Sequence, residues 1–159
     1  RQVENSNWLD LFSGSGSISC EAYNHGAKKI VALEKSKINF NICARNLQSL
    51  SKSENRENDI QVICQDVLNW TKSHSVDREN KNIRNSIDFG FDFIYLDPPY
   101  AYKHYEEVLE NLYISNLVKK NTIIICEHSR RKSIKENKLW RINDIRCYGQ
   151  TKLSFLINI

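Results

Sequence analysis

Methionine is absent from the sequence, and no apolar run is long enough to cross a membrane. The start of the chain also lacks a secretory signal pattern, so we expect a cytoplasmic protein with no membrane partner. The chain begins at Arg1 and reaches a strand-like apolar segment within a few residues. We therefore expect that an N-terminal segment precedes Arg1 in the full-length protein.

Cysteines occur in no pattern that is typical of a metal site. Their number is odd, and no two of them have CxxC spacing, which argues against a structural zinc ion. In a reducing cytosol such cysteines are ordinary small apolar side chains. We expect no metal and five buried thiols, at Cys20, Cys43, Cys64, Cys126 and Cys147.

The charge balance excludes few classes of partner. Lysine and arginine number 23 and aspartate and glutamate 19, which gives a formal net charge of +4. A mildly basic protein is compatible with a nucleic-acid partner but does not require one. The length of 159 residues fits one domain. We expect residues 1–159 to form a single domain that acts as a monomer.

Short apolar segments alternate with segments of helical spacing along most of the chain. Segments of this length, rich in β-branched and aromatic residues, are typical of strands buried on both faces of a parallel sheet. They lie at residues 7–12, 29–34, 60–64, 91–97 and 122–128. Apolar residues recur at helical intervals over 36–50 and 105–118. This alternation predicts an α/β doubly wound domain with helices on both faces of the sheet.

The C-terminal part of the chain interrupts this alternation. Residues 139–159 contain two extended segments around Tyr148-Gly149-Gln150 without a helix between them, which predicts an antiparallel hairpin. Five parallel strands followed by such a hairpin are typical of the Rossmann-like class I methyltransferase fold, a seven-stranded and mostly parallel sheet. The polar segments 51–59 and 73–88 are predicted to be loops.

Gly14 and Gly16 stand directly after the first predicted strand and before a helical segment. Glycine allows a sharp turn and the close approach of a ligand, and the start of a helix offers free N–H groups. Glu34 ends the second predicted strand, where its carboxylate can accept hydrogen bonds from ribose hydroxyls. The pattern fits NAD as well as S-adenosylmethionine. Ser19 replaces the third glycine of the dinucleotide fingerprint, which favours S-adenosylmethionine.

Two further acids belong to the same predicted edge of the sheet. Asp10 lies in the first strand, where methyltransferases use an acid to approach the amino-acid part of the cofactor; a helix cap at the strand end is the alternative. Asp66 follows the third strand and can accept a hydrogen bond from the adenine amino group, while the N–H of Val67 faces the ring. Asp66 can also cap the next helix. With Glu34, these acids predict one ligand-binding crevice.

The sequence Asp97-Pro98-Pro99-Tyr100 ends the fourth predicted strand and contains both prolines of the chain. The exocyclic amine of a nucleobase is a weak nucleophile, because its lone pair is delocalised into the ring. We expect the Asp97 carboxylate and the Pro98 carbonyl, which the prolines hold in place, to accept its two N–H bonds. Tyr100 would stack on a base that has left its helix. The alternative is a strand end with an ordinary Pro-Pro turn.

Three segments together resemble the bacterial 16S rRNA (guanine-N2) methyltransferases of the RsmD type. They are LDLFSGSGSISCEAYNHGA (9–27), the Asp-Pro-Pro-Tyr sequence (97–100) and YGQTKLSFL (148–156), and EHS at 127–129 supports them. The resemblance implies methyl transfer from S-adenosylmethionine to the N2 amine of a guanine. The substrate would be 16S rRNA in the small ribosomal subunit or its assembly intermediate.

The resemblance also assigns residues to roles. The catalytic set, which would hold the base, is Asp97, Pro98, Pro99 and Tyr100. The residues that would hold the cofactor are Asp10, Phe12, Gly14, Gly16, Glu34, Lys35, Asp66, Val67 and Asp97. Basic residues 130–132 either contact rRNA phosphates or form a solvated surface. Three other functions stay open: an adenine-N6 methyltransferase on DNA or RNA, an NAD-dependent oxidoreductase, and a non-catalytic RNA-binding module.

Overall fold

The computed structural model describes residues 3–54, 60–74 and 90–159. Within these ranges the chain forms seven strands and four helices. The strands are β1 (Asn7–Asp10), β2 (Lys29–Glu34), β3 (Ile60–Cys64), β4 (Phe91–Leu96), β5 (Val118–Ser129), β6 (Trp140–Tyr148) and β7 (Thr151–Asn158). The helices are α1 (Ser17–Asn24), α2 (Lys37–Glu54), α3 (Val67–His74) and α4 (Tyr105–Tyr113). None of these helices combines the length and the hydropathy needed to cross a membrane.

The seven described strands form one sheet in the order β3-β2-β1-β4-β5-β7-β6. Strands β1 to β5 are parallel to their neighbours in this set, whereas β7 runs antiparallel between β5 and β6. The turn between β6 and β7 contains Gly149 with φ of +58°, a conformation that favours glycine. The predicted class I methyltransferase fold is confirmed, together with its C-terminal hairpin.

Helices cover both faces of the sheet, because alternate residues of each strand point to opposite sides. In β1, Trp8 belongs to the core on the side of α1 and α2, whereas Leu9 belongs to the core on the side of α3 and α4. Burying an aliphatic or aromatic side chain contributes about 1.5–3 kcal/mol relative to leaving it in water. The helices supply the following buried side chains: Ala22, Tyr23, Cys43 and Leu47 on the first face, and Val67, Trp70, Val108, Leu109 and Leu112 on the second.

The two predicted loops begin later in the chain than expected. Helix α2 continues to Glu54 and buries Ser51 in the protein. Helix α3 extends to His74, whose ring lies 4.1 Å from the ring of Trp70. Polar residues predicted loops here, but the first residues of both segments are the last turns of α2 and α3, which pack against the rest of the protein. The remainder of the predicted loops, residues 55–59 and 75–88, lies outside the described residues.

Some strand and helix ends also differ from the predicted bounds. Strand β1 ends at Asp10, two residues early, because the chain turns there into the glycine-containing loop. Strand β5 is longer than the predicted 122–128, because it begins at Val118, which pairs with Phe91 of β4, and it pairs with β7 as far as Ser129. Helix α4 ends at Tyr113 rather than at residue 118, since the chain must turn to enter β5.

The prediction that all cysteines are buried is wrong for part of the set. Cys43 and Cys126 are buried and Cys20 is partly buried, but Cys64 and Cys147 are exposed. The reason is the topology of the sheet, because Cys64 lies on β3 and Cys147 on β6, which are its two edge strands. All five thiols are free.

Candidate active site

The loop after β1 carries the two glycines to the carboxyl edge of the sheet. It is anchored by Ser13, whose N–H donates to the carbonyl of Leu33 at 2.9 Å. Gly16 has φ of +82°, and a Cβ there would lie 2.7 Å from Cys43 Sγ, so this glycine allows α1 to pack against α2. Gly14 has φ of +53° and open space where a Cβ would be. The backbone at Gly14 is therefore accessible to a ligand.

A cavity of about 730 Å³, which we name the glycine-loop cavity, opens beside this loop. Glu34 lies on its wall. Its Oε2 accepts the N–H of Gly14 at 2.8 Å, and its Oε1 accepts the N–H of Ser36 at 2.7 Å. These bonds fix the carboxylate and leave lone pairs for ligand hydroxyls. The predicted cofactor residues that line this cavity are Phe12, Gly14, Glu34, Lys35, Asp66, Val67 and Asp97, whereas Asp10 and Gly16 do not line it.

Asp66 caps α3 and is paired with a lysine at the edge of the glycine-loop cavity. Its Oδ1 accepts the N–H of Asn69 at 3.2 Å, and its Oδ2 accepts a bond from Lys35 Nζ at 3.0 Å. Burial raises the pKa of Asp66, but the bonds from Lys35 and from the backbone outweigh it, so the net pKa is lowered. The predicted cap is confirmed, and the predicted contact with adenine stays a prediction.

Asp10 is buried beneath the loop rather than exposed in the cavity. Its side chain accepts a hydrogen bond from the Ser19 hydroxyl at 2.7 Å. Its other oxygen, Oδ1, has no hydrogen-bond partner among the described residues. Burial raises the pKa of Asp10 to about 7, although the bond from Ser19 opposes that rise. Asp10 is therefore held against the underside of the loop, and its predicted approach to the cofactor stays a prediction.

The Asp97-Pro98-Pro99-Tyr100 segment separates the glycine-loop cavity from a second cavity. This second cavity has a volume of about 530 Å³ and lies between the segment and the end of β5, and we name it the β5 cavity. All four residues of the segment line both cavities. In the described ranges, no donor is bonded to the Pro98 carbonyl. Tyr100 is 79% exposed, so its ring is available for stacking.

Two contacts hold this segment in place. The carbonyl of Pro99 accepts the N–H of Tyr102 at 2.8 Å, which closes a turn directly after the prolines. The carbonyl of Tyr100 accepts a bond from Lys132 Nζ at 2.5 Å. Lys132 also lines the β5 cavity. A basic residue that was considered only for phosphate contact thus supports the backbone of the predicted base-binding segment.

A second carboxylate, Glu127, stands beside Asp97. The residues that precede them, Leu96 and Cys126, are paired across β4 and β5. Both acids line both cavities. Partial burial and the charge of Glu127 raise the pKa of Asp97 to about 6. The Tyr95 hydroxyl donates a hydrogen bond to Glu127 Oε2, which fixes that carboxylate.

Sequence patterns assign no role to Glu127 or Tyr102, although both line the two cavities. Glu127 was noticed only as part of a family-like segment, and the available signal was its position at the end of the fifth predicted strand. His128, at the same strand end, shares a hydrogen bond with Ser154 Oγ at 2.9 Å, which ties β5 to β7. Burial lowers the pKa of His128.

Comparison with known proteins decides the family. Residues 1–157 match the family model described as Conserved hypothetical protein 95. The chain belongs to this family. The resemblance to the RsmD type is thereby confirmed, because curated proteins that the chain matches over most of its length carry the name Ribosomal RNA small subunit methyltransferase D.

Two of these relatives have comparable sequence identity to this chain. The protein of Buchnera aphidicola subsp. Acyrthosiphon pisum is 28% identical over 154 residues, which cover 93% of this chain and 72% of the relative. The protein of Haemophilus influenzae is 31% identical over 140 residues, which cover 88% of this chain and 65% of the relative. Both are named Ribosomal RNA small subunit methyltransferase D.

Solved structures support the same grouping. The crystal structure of a protein described as a methylase from Haemophilus influenzae is 28% identical and has a TM-score of 0.77, covering 99% of this chain and 89% of that one. A methyltransferase complexed with SAH, SMU.776, has a TM-score of 0.70 at 15% identity, covering 98% of this chain and 46% of that one. The second likeness is one of fold.

Proposed function

We propose that this protein is a single-domain methyltransferase that transfers a methyl group from S-adenosylmethionine to the N2 amine of a guanine in 16S rRNA. The observation that carries the proposal is the position of Asp97-Pro98-Pro99-Tyr100 between two cavities. The glycine-loop cavity has the features of an adenosine site, and we assign the flat base to the β5 cavity. The printed names of the relatives favour rRNA of the small subunit as the substrate.

The residues of the glycine-loop cavity fit S-adenosylmethionine. Glu34 has lone pairs left for the two ribose hydroxyls, and Gly14 leaves room for a ligand against its backbone. Val67 and Asp66 line the same cavity, and we expect them to contact the adenine ring and its amino group. The unpartnered Oδ1 of Asp10 lies beneath the loop, on the side proposed for the amino-acid part of the cofactor. When bound, S-adenosylmethionine supplies an electrophilic methyl group on a sulfonium centre.

The catalytic contribution of the chain itself is to position and polarise the amine. Asp97 accepts one N–H of the amine, and the free carbonyl of Pro98 accepts the other. Two acceptors in these positions draw the nitrogen lone pair out of conjugation and aim it toward the glycine-loop cavity. Tyr100 stacks on the base. After transfer, the surplus proton leaves the nitrogen for Asp97 or for water, so no separate general base is needed.

The substrate we propose is the small ribosomal subunit or its assembly intermediate, in which the target base is unpaired. Exposed basic side chains near the β5 cavity support contacts with rRNA phosphates, and they are Arg130, Arg131, Lys132 and Lys135. Such contacts position an RNA without selecting its sequence.

The test is transfer of a labelled methyl group to small subunits from a strain that lacks the modification. Wild-type protein should label the 16S rRNA, and Asp97→Asn should reduce the single-turnover rate by about 100-fold, because a hydrogen bond to a charged acceptor is lost in the transition state. Glu21→Gln, on the exposed surface of α1, is the matched control and should retain full activity. Equal rates for Asp97→Asn and wild type would refute the role of Asp97.

A further inference from the structure

Glu127 is placed to contact the same base as Asp97. The pair Leu96–Cys126 joins β4 and β5; Asp97 directly follows the last residue of β4, and Glu127 follows Cys126 within β5. Residues two positions earlier, Tyr95 and Ile125, pack on one face of the sheet, so both acids continue the same side. Both line the β5 cavity, which is where the proposed base would lie.

The hydrogen bonding of Glu127 leaves one oxygen for a ligand. The Tyr95 hydroxyl donates to Oε2. Among the described residues no donor is bonded to Oε1. An ionised carboxylate accepts hydrogen bonds and donates none. Its orientation is fixed by Tyr95, so the free oxygen is presented to the cavity as an acceptor.

We propose that Glu127 Oε1 accepts the N1–H of the target guanine and thereby selects guanine over bases that lack this hydrogen. The assignment rests on the proposed function. In guanine, N1–H stands next to the N2 amine on the same edge of the ring, so an amine held by Asp97 and Pro98 brings N1–H toward the neighbouring acid. An adenine whose amine is held by the same two acceptors presents an N1 lone pair to Glu127 instead. That lone pair would face a carboxylate oxygen, and repulsion would exclude the base.

Glu127→Gln is the informative substitution, because it preserves the shape of the side chain. The Tyr95 hydroxyl would hold the amide oxygen, so the amide NH₂ group would face the base. The N1–H of guanine would then face the amide NH₂, which is also a donor, so no hydrogen bond could form. A base with an N1 lone pair would accept a hydrogen bond from the same NH₂. The base 2-aminopurine carries the same amine beside an unprotonated N1. It also lacks the O6 of guanine, so the contact is read from the change in base preference between wild type and Glu127→Gln.

The experiment compares kcat/KM on reconstituted small subunits that carry guanine or 2-aminopurine at the target position. Wild type should prefer guanine by about 100-fold or more, as expected for a lost hydrogen bond to a charged group. Glu127→Gln should lose about 10- to 100-fold on guanine and bring the two bases within about tenfold of each other. Glu21→Gln, which removes an exposed carboxylate on α1 that lines neither cavity, is the matched control and should keep the wild-type preference.

Thermal melting checks that Glu127→Gln is folded. The ratio of kcat/KM on guanine to kcat/KM on 2-aminopurine then distinguishes a loss of base recognition from a structural defect. An equal loss on both bases would mean that Glu127 only supports the fold, and it would overturn the inference while leaving the proposed function intact. Failure of wild type to methylate guanine at all would overturn the proposed function, and the assignment with it.

Discussion

The raised pKa of Asp97 makes methyl transfer sensitive to mild acid. Asp97 must be ionised to accept an N–H of the substrate amine, and partial burial beside Glu127 raises its pKa to about 6. The ionised fraction is then about one half at pH 6 and about one eleventh at pH 5. We therefore expect kcat/KM, which reports the pKa of the free protein, to fall about tenfold from pH 8 to pH 5.

The sign of the effect follows from the proton that is gained. Protonation below the raised pKa removes the acceptor, so activity is present at high pH and is lost as pH falls. Glu127→Gln removes the neighbouring charge, so it should lower the pKa of Asp97 and move the loss of activity to lower pH. Asp97→Asn has no carboxylate at this position, so its low rate should not fall further as the pH decreases.

Rates measured from pH 5 to 8 on small subunits, at constant ionic strength, test this prediction. Glu21→Gln is the control, because it removes an exposed carboxylate far from the cavities and should reproduce the wild-type profile. At an ordinary pKa of 3.8, about 94% of the Asp97 carboxylate would still be ionised at pH 5. A kcat/KM that stays constant down to pH 5 would therefore contradict a pKa of about 6 for Asp97.

Three other substitutions have expected outcomes. Glu34→Gln should weaken binding of S-adenosylhomocysteine, measured by calorimetry, by about 10- to 100-fold, because the ribose loses a charged acceptor. Gly16→Ala should lower the free energy of unfolding in urea by about 1–3 kcal/mol, since the new Cβ meets Cys43 and φ is positive. Lys132→Met should reduce kcat by about tenfold with little change in cofactor affinity, because the Tyr100 carbonyl loses its donor.

Two of these substitutions, Gly16→Ala and Lys132→Met, have a matched comparison in the chain. Gly14→Ala has positive φ but open space at Cβ, so it should destabilise less than Gly16→Ala, and equal losses would contradict the role given to Cys43 packing. Arg131→Met removes a neighbouring positive charge without touching Tyr100. If it lowers kcat as much as Lys132→Met does, the effect is one of charge rather than of the Tyr100 contact.

The glycine loop and the acids at strand ends could be predicted from sequence for a simple reason. Buried parallel strands are short apolar segments, and their carboxyl ends must meet at one edge of the sheet. Gly14, Glu34, Asp66 and Asp97 therefore came together as expected around one cavity. The local roles of Asp66 as a helix cap and of the glycines in the turn also depend on neighbouring residues alone.

What could not be predicted depends on contacts between distant elements. Asp10 is buried because α1 places Ser19 over it, and the glycine pattern does not indicate which acids will lose access to water. Glu127 became part of the site only through pairing of β4 with β5 and the hydroxyl of Tyr95. Lys132 follows β5 in the chain, yet it supports a carbonyl 32 residues earlier.

Nucleoside mass spectrometry tests the central claim most directly. Small subunits that lack the modification would be incubated with the protein and S-adenosylmethionine, and their 16S rRNA would be digested to nucleosides. We predict new N2-methylguanosine with wild-type protein and none with Asp97→Ala. New N6-methyladenosine in place of N2-methylguanosine would contradict it, since the segment at Asp97 would then hold a different amine.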